Sequence, residues 1–326
     1  MQKPRVLISR QIPQEAITLL EQSCELELNP SERPLSKLTL IRRLKGCSGL
    51  VCLLTDDQID DAVLSVPGLR IVSNVAVGYN NIDLASATRR GVLVTNTPGV
   101  LTETTADFAW ALMMAASRRV GEGERLVRAG RFKGWGIMTL LGRDMHGKTL
   151  GLVGFGRIGQ AVARRALGFG MKVLYTESQP VPAELDPELR AVGAPLERLL
   201  RESDFVSLHV PLLPETRHLI DDKAFSLMKP TAVLVNTSRG PVIDEGALVR
   251  ALKDGRIFAA GLDVYEDEPD LAPGLARLEN VVLAPHIASA SVETRTRMAV
   301  LAAENMLAGL SGKRPPSLVN PEAWKG

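Results

Sequence analysis

Short β-branched and leucine-rich runs alternate with amphipathic segments along almost the whole chain. In the first third, the runs Arg5–Ser9, Glu25–Leu28, Leu50–Leu54, Arg70–Val75 and Val92–Asn96 predict strands. Between them, Pro13–Gln22, Leu38–Lys45 and Ile82–Arg90 carry apolar residues at helical spacing, and Gly, Pro, Asn or Asp punctuates each change. Thr97-Pro98-Gly99 ends this series. A long helix follows, from Leu101 to about Val120, with Thr102 at its N-cap and Glu103 in its first turn. A second series of strands opens at Thr149–Val153. It continues through Lys172–Tyr175, Phe205–Leu208, Ala232–Asn236, Phe258–Leu262 and Val281–Ala284, before one last helix from Val292 to about Leu310. This alternation predicts an α/β protein with two doubly wound parallel-sheet domains and a cleft between them. With six strands, the second series has the size of a complete dinucleotide-binding domain. The first is a smaller unit, to which the terminal helix returns.

Composition narrows the picture. At 326 residues the chain is about twice the length of a common domain, and 45% hydrophobic with 23% charged residues suits a large core. The formal charge, 39 − 37 = +2, comes with no run of like charges, so neither nucleic acid nor a membrane surface is an expected partner. The longest apolar stretch, near Phe108 to Ala116, falls well short of a bilayer span, and Val6-Leu7-Ile8-Ser9 is too short for a signal-peptide core. Cys24, Cys47 and Cys52 form no CxxC pair and read as reduced, partly buried thiols of a cytoplasmic protein. Met113-Met114 reads as core filling. No HExxH, zinc-spaced Cys/His cluster, GxxxxGK[ST] loop or GxSxG elbow is present, and no metal is expected.

The strongest local motif is Gly154-Phe155-Gly156-Arg157-Ile158-Gly159, placed after the strand Leu150–Val153 and opening the helix Gln160–Leu167. In that setting Gly154 permits a tight turn, Gly156 lets a pyrophosphate approach the backbone, and Gly159 allows close helix–sheet packing. Glu177 stands eighteen residues after Gly159, just past the next strand, where a carboxylate can accept from both ribose hydroxyls and repel a 2′-phosphate. Glu177 to Leu189 holds four acidic residues (Glu177, Glu184, Asp186, Glu188) and no basic one, which favours NAD.

Arg239, Glu268 and His286 follow three successive strands of the second series. Open α/β sheets bind ligands outside the carboxyl ends of their strands, so all three can face one crevice. Singly, Arg239 could form a surface ion pair, Glu268 could be a loop carboxylate before Pro269, and His286 a structural histidine. Together they suit reduction of a 2-oxo acid. The guanidinium grips the substrate carboxylate, the imidazolium protonates the carbonyl oxygen, and the carboxylate favours the protonated imidazole. His209, at a strand end, and His146 and His218, in loops, read as structural or exposed.

Gly154–Gly159, Asn236–Gly240, Gly261–Pro269 and Pro285-His286 together resemble the D-isomer-specific 2-hydroxyacid dehydrogenases, over essentially the whole chain. The resemblance implies Arg239 for substrate binding, His286 as acid/base and Glu268 as its partner. It implies coenzyme contacts from Thr105, from Gly154, Phe155, Gly156, Arg157, Ile158 and Gly159, and from Glu177, Thr237, Ser238 and Asp263. It also implies a Rossmann cofactor domain at 99–287 and a flavodoxin-like substrate domain from 1–98 and 288–326. A homodimer through the cofactor domain is expected, with the helix Leu101–Val120 and the segment after it at the interface.

Finer details are similar to glyoxylate/hydroxypyruvate reductases: Leu53-Leu54-Thr55-Asp56, the stretches Ala76–Asp83 and Asn96–Glu103, and Trp135-Gly136-Ile137-Met138. The likeness implies that the amides of Val77 and Gly78 bind the substrate carboxylate and that Leu54 walls the pocket. Trp135 would reach the neighbouring subunit's pocket. Several such reductases carry a Ser-Arg type sequence for NADPH where this chain reads Thr176-Glu177-Ser178-Gln179, so NADH is expected over NADPH. Glyoxylate or hydroxypyruvate is the expected substrate. Val77 stands where phosphite-oxidising members carry Lys, and Glu268 where formate dehydrogenases carry Gln. D-3-phosphoglycerate or another D-2-hydroxy acid stays open as a substrate. An NAD-sensing corepressor would keep much of the same triad, but it would be expected to carry an extended disordered tail.

Overall fold

A computed structural model describes residues 3–55, 58–178 and 189–325, which form two compact units. One comprises the chain up to Leu101 together with Ala290 onward, and the other is Thr102–Ser289. In the first unit the order is β1 (Arg5–Ile8), α1 (Gln14–Glu21), β2 (Glu25–Leu28), α2 (Lys37–Leu44), β3 (Gly49–Cys52), α3 (Asp61–Leu64), β4 (Ile71–Asn74), α4 (Leu84–Arg90) and β5 (Leu93–Thr95). The strands form one parallel sheet in the order β2-β1-β3-β4-β5. Alternation along β1 explains its two covered faces. Leu7 packs among Leu40, Leu44 and Val63, whereas Val6 and Ile8 pack among Ala16, Leu20 and Met306 of the terminal helix Val292–Leu310.

The second unit runs α5 (Thr102–Ser117), α6 (Val120–Arg128), β6 (Thr149–Val153), α7 (Arg157–Gly168), β7 (Lys172–Thr176), β8 (Val192–Gly193), α8 (Leu196–Glu202), β9 (Phe205–Leu208), α9 (Asp222–Leu227), β10 (Val233–Asn236), α10 (Glu245–Lys253), β11 (Ala259–Leu262) and β12 (Val281–Leu283). Its parallel sheet has the order β12-β11-β10-β9-β6-β7-β8, the doubly wound dinucleotide-binding arrangement with one added edge strand. On β10, Val233 and Val235 face α5 and α7 through Met113 and Ala163, and Leu234 faces α8 to α10 through Leu199, Phe225 and Leu248. Each such fully buried Leu, Phe or Met contributes roughly 1.5–3 kcal/mol. No helix among the described residues is long and apolar enough to cross a membrane.

Four sequence expectations need correction. The sheet has seven strands, because the two-residue β8 is too short to carry a pattern. The single-turn α3, capped by Asp60 through the Val63 amide, is equally short. The expected helix Leu101–Val120 is two helices, with Thr102 as the first helical residue and Arg119 left-handed at φ 53° between them. The Ser117 carbonyl there accepts from the Arg143 amide at 2.8 Å, and among the described residues no amide of α6 donates to it. Met113 is fully buried, but Met114 lies on the outer face and is 44% exposed.

Candidate active site

The loop after β6 is built by what its glycines exclude. Gly154 sits at φ 93°, and a Cβ there would lie 2.7 Å from the His209 carbonyl. A Cβ on Gly159 would lie 2.4 Å from the Gly154 carbonyl oxygen, so the third glycine lets α7 pack onto its own entry turn. At Gly156 a Cβ would meet nothing within 4 Å: this glycine faces open space. Gly156 is also the N-cap of α7, and no side chain caps that helix start. Uncapped amides and a positive dipole end beside an open glycine suit an anionic pyrophosphate.

Glu177, at the end of β7, reaches back to this loop. Its Oε2 accepts from the Phe155 amide at 2.9 Å and its Oε1 from the Ser178 amide at 2.8 Å. The carboxylate thereby has a set place beside the glycine turn. The Phe155 ring itself lies in the core, stacked on Tyr175 at 4.1 Å. Arg157 is exposed and Ile158 half-buried in the first turn of α7. Glu184, Asp186 and Glu188, like Gln179, lie outside the described residues, as does Asp56.

Arg239, Glu268 and His286 stand on three loops at the carboxyl ends of β10, β11 and β12. Asn236 organises the first loop: its Oδ1 accepts from the Ser238 amide and hydroxyl at 3.0 and 2.8 Å, and its Nδ2 donates to the Arg239 carbonyl at 2.9 Å. Arg239 donates from Nη1 to the Ser238 carbonyl at 2.7 Å. Burial pushes the guanidinium pKa down and the Glu268 charge opposes that, leaving a cation at any ordinary pH. The next residue, Gly240, admits no side chain, because a Cβ would fall 1.8 Å from the Tyr265 carbonyl. The Arg239 loop and the Glu268 loop are in direct backbone contact there.

Glu268 accepts from the Tyr265 amide on Oε1 at 3.0 Å and meets His286 Nδ1 with Oε2 at 2.9 Å. Burial works to raise the Glu268 pKa, but the hydrogen bond and charge of His286, the Tyr265 amide and the Arg239 charge outweigh it. Its carboxyl sits below the usual range. An ionised carboxylate only accepts, so Nδ1 carries the proton in this pair and Nε2 is the nitrogen left to exchange one.

His286 holds φ 55°, a left-handed conformation unfavourable for a side-chain-bearing residue. Asp263 enforces it. The carbonyl of Asp263 accepts from the His286 amide at 2.9 Å, and its two carboxylate oxygens accept from the Ile287 and Ala288 amides at 2.7 Å each. Burial pushes the Asp263 pKa up, against these two hydrogen bonds and the His286 charge. Asp263 is fully buried and acts here as the tether of the His286 loop. Tyr265 adds a bond from its hydroxyl to the Ala284 carbonyl at 2.9 Å, and burial pushes its pKa up to about 12.

Thr105 is buried on α5, and Ser238 spends its hydroxyl on Asn236. Thr237 Oγ1, between β10 and Arg239, is buried without a hydrogen-bond partner among the described residues. That orphaned hydroxyl, the open Gly156 and the uncapped α7 amides fit a polar, phosphate-bearing coenzyme along these strand ends. Trp135 is 84% exposed in an apolar stretch that also displays Phe132, Ile137, Met138 and Leu141. His209 bonds Ser207 Oγ through Nε2 at 2.9 Å, His218 meets Glu266 at 2.6 Å, and His146 is exposed.

In the first unit, Val77 and Gly78 follow β4. Asn96 Nδ2 donates to the Val77 carbonyl at 2.8 Å and Asn74 Nδ2 to the Gly78 carbonyl at 2.9 Å. Neither the Val77 nor the Gly78 amide has an acceptor among the described residues. Two fixed carbonyls and two unused N–H groups make this turn a candidate anion contact. Leu54 is half-buried in the turn after β3.

Fold and loops define a nicotinamide-dependent dehydrogenase class, and comparison with known proteins makes the assignment specific. The NAD-binding domain of D-isomer specific 2-hydroxyacid dehydrogenases matches residues 110–288. A glyoxylate reductase of Korarchaeum cryptofilum is 56% identical over 99% of this chain and 98% of its own length. A Thermus thermophilus crystal structure superposes with TM-score 0.90 at 46% identity, covering 97% of this chain and 99% of that one. The NADPH-dependent glyoxylate/hydroxypyruvate reductase of Sinorhizobium meliloti, solved with NADP and malonate, superposes with TM-score 0.87 at 32% identity, covering 100% and 99%. The chain belongs to the D-isomer-specific 2-hydroxyacid dehydrogenase family.

Proposed function

We propose that this protein reduces a small 2-oxo acid, glyoxylate or hydroxypyruvate, to the corresponding 2-hydroxy acid with NADH. The observation that carries this reading is the 2.9 Å contact of His286 Nδ1 with Glu268, on a loop whose three consecutive amides donate hydrogen bonds to Asp263. Relatives named glyoxylate reductases, about half identical over nearly the full chain, support the substrate class.

A bound nicotinamide supplies the hydride for the carbonyl carbon. His286 Nε2 gives its proton to the carbonyl oxygen, so the C=O π bond becomes a C–H and an O–H bond. Glu268 holds the ring through Nδ1 and balances the imidazolium charge before transfer. Arg239 fixes the substrate carboxylate. The Val77 and Gly78 amides and Leu54 are the first unit's own candidates for substrate binding. Alignment of both transfers in one pose lowers the entropic barrier.

Glu177 selects NADH: a carboxylate already held by the Phe155 amide accepts ribose hydroxyls and repels a 2′-phosphate. Thr105, Thr237 and Ser238 line the same coenzyme path. The exposed apolar stretch around Trp135 supports a homodimer in which that segment is covered by the partner subunit. NADH oxidation against a panel of 2-oxo acids, with NADPH run alongside, tests the reading. Turnover with glyoxylate or hydroxypyruvate and NADH is expected. Turnover with none of the panel overturns it.

A further inference from the structure

The loop between β11 and β12 that carries Glu268 is held by a buried carboxylate the reaction itself does not use. Glu245 opens α10 and is only 4% exposed. Its Oε1 accepts from the Glu266 amide at 2.6 Å and its Oε2 from the Ala272 amide at 3.1 Å. Those two amides bracket Glu268 in the chain. One carboxylate thus closes the loop on both sides of the residue that pairs with His286.

The same short segment ties both ends of the triad. Residues 239–245 begin with Arg239 and Gly240, where the Tyr265 carbonyl leaves no room for a side chain, and end with Glu245. The segment is therefore laced to the Glu268 loop at two places. Burying a carboxylate is costly, and burial pushes the Glu245 pKa up, with the Glu266 and Asp267 charges adding to it. The helix cap does not need this residue, because Asp244 already caps α10 through the Ala247 amide at 2.8 Å. A buried charge with no capping duty, spent on two amides beside Glu268, is explained by the loop it holds.

We propose that Glu245 is a positioning residue for the reduction: it fixes Glu268 against His286 and against Arg239. The proposal rests on the functional reading above, and its test has a readout that needs no turnover. Nδ1–H donation from an imidazole to a carboxylate gives a far-downfield proton resonance, assigned in the wild type by its loss in His286→Asn. Glu245→Gln keeps size but offers one acceptor oxygen where two amides need one each. Its resonance should broaden or vanish, and kcat should fall about tenfold to a hundredfold, as for a misplaced catalytic group. The KM for NADH should stay within about twofold of wild type, since the glycine turn is untouched. If Glu245→Gln does not fold, Glu245→Asp keeps the charge, reaches one amide, and should move both readouts in the same direction.

A variant with lowered Tm but unchanged resonance and kcat would overturn the proposal and leave Glu245 a role in stability alone. Loss of turnover with the resonance intact would overturn it too. A wild type inactive on every oxo acid defeats the functional reading, while the resonance comparison still decides the role of Glu245.

Discussion

Both sheets reverse their winding at one point, between β1 and β3 in the first unit and between β6 and β9 in the second. Such switch points open a crevice at the strand ends. The loops placed there differ. After β1 comes Ser9-Arg10-Gln11-Ile12-Pro13, with no glycine. Its Ser9 amide donates to the Val51 carbonyl at 3.0 Å, its Ser9 carbonyl accepts from Asn29 at 2.8 Å, and Arg10 donates to the carbonyls of Glu32 and Thr55. Neighbouring segments already bond that loop. After β6, Gly156 faces open space, the α7 start has no side-chain cap, and a carboxylate waits at the end of β7. Winding makes a crevice, and unspent backbone groups make it a site.

The comparison breaks most visibly at Gly156. In Gly156→Ala the new methyl meets no protein atom, and the N-cap change should cost no more than about 1 kcal/mol of stability. The same methyl lies where a pyrophosphate would approach, so the NADH Kd from fluorescence titration should rise at least about tenfold. Ser9→Ala, at the other switch point, should leave that Kd unchanged. Equal effects from the two variants would erase the distinction.

Glu177→Ala sharpens it next. Removing the carboxylate that repels a 2′-phosphate should narrow the ratio of kcat/KM for NADH over NADPH by about tenfold. An unchanged ratio would leave Glu177 as a brace for the Phe155 amide only.

The smallest effect belongs to His209, whose carbonyl closes over Gly154. Burial pushes its imidazole from 6.5 down to about 4. The folded state therefore binds fewer protons than the unfolded chain between those values. This group's contribution is complete above about pH 6.5 and is lost as pH falls toward 4. His209→Gln should flatten the fall of Tm between pH 7 and pH 4.5 by an amount equivalent to about 1–2 kcal/mol. Parallel Tm curves would mean that the imidazole is not held neutral.

The strand ends were readable because each is a punctuation mark after a strongly apolar run. The glycine turn, Glu177, Arg239, Glu268 and His286 all occupy such places, and strands such as β1, β6, β10 and β12 show the run plainly in Leu, Val and Ile. What escaped was set by contacts distant in sequence. The break at Arg119 needs the Arg143 amide on the Ser117 carbonyl. The family resemblance offered Asp263 only as an expected coenzyme contact; its grip on three amides of the His286 loop appears only once β11 and β12 are paired. Glu245 reads in sequence as an ordinary first-turn acid of a helix, and nothing local marks it as buried. Elements of two to four residues, β8 and α3, carry too few positions for any period.

The most direct test compares wild-type protein with His286→Asn for NADH oxidation in the presence of glyoxylate, alongside NADH binding by each. Rapid turnover by the wild type, a kcat loss of about a thousandfold in the variant and an NADH Kd within about twofold are the predicted result. Near-normal turnover by His286→Asn would contradict proton donation by His286 and the reaction built on it.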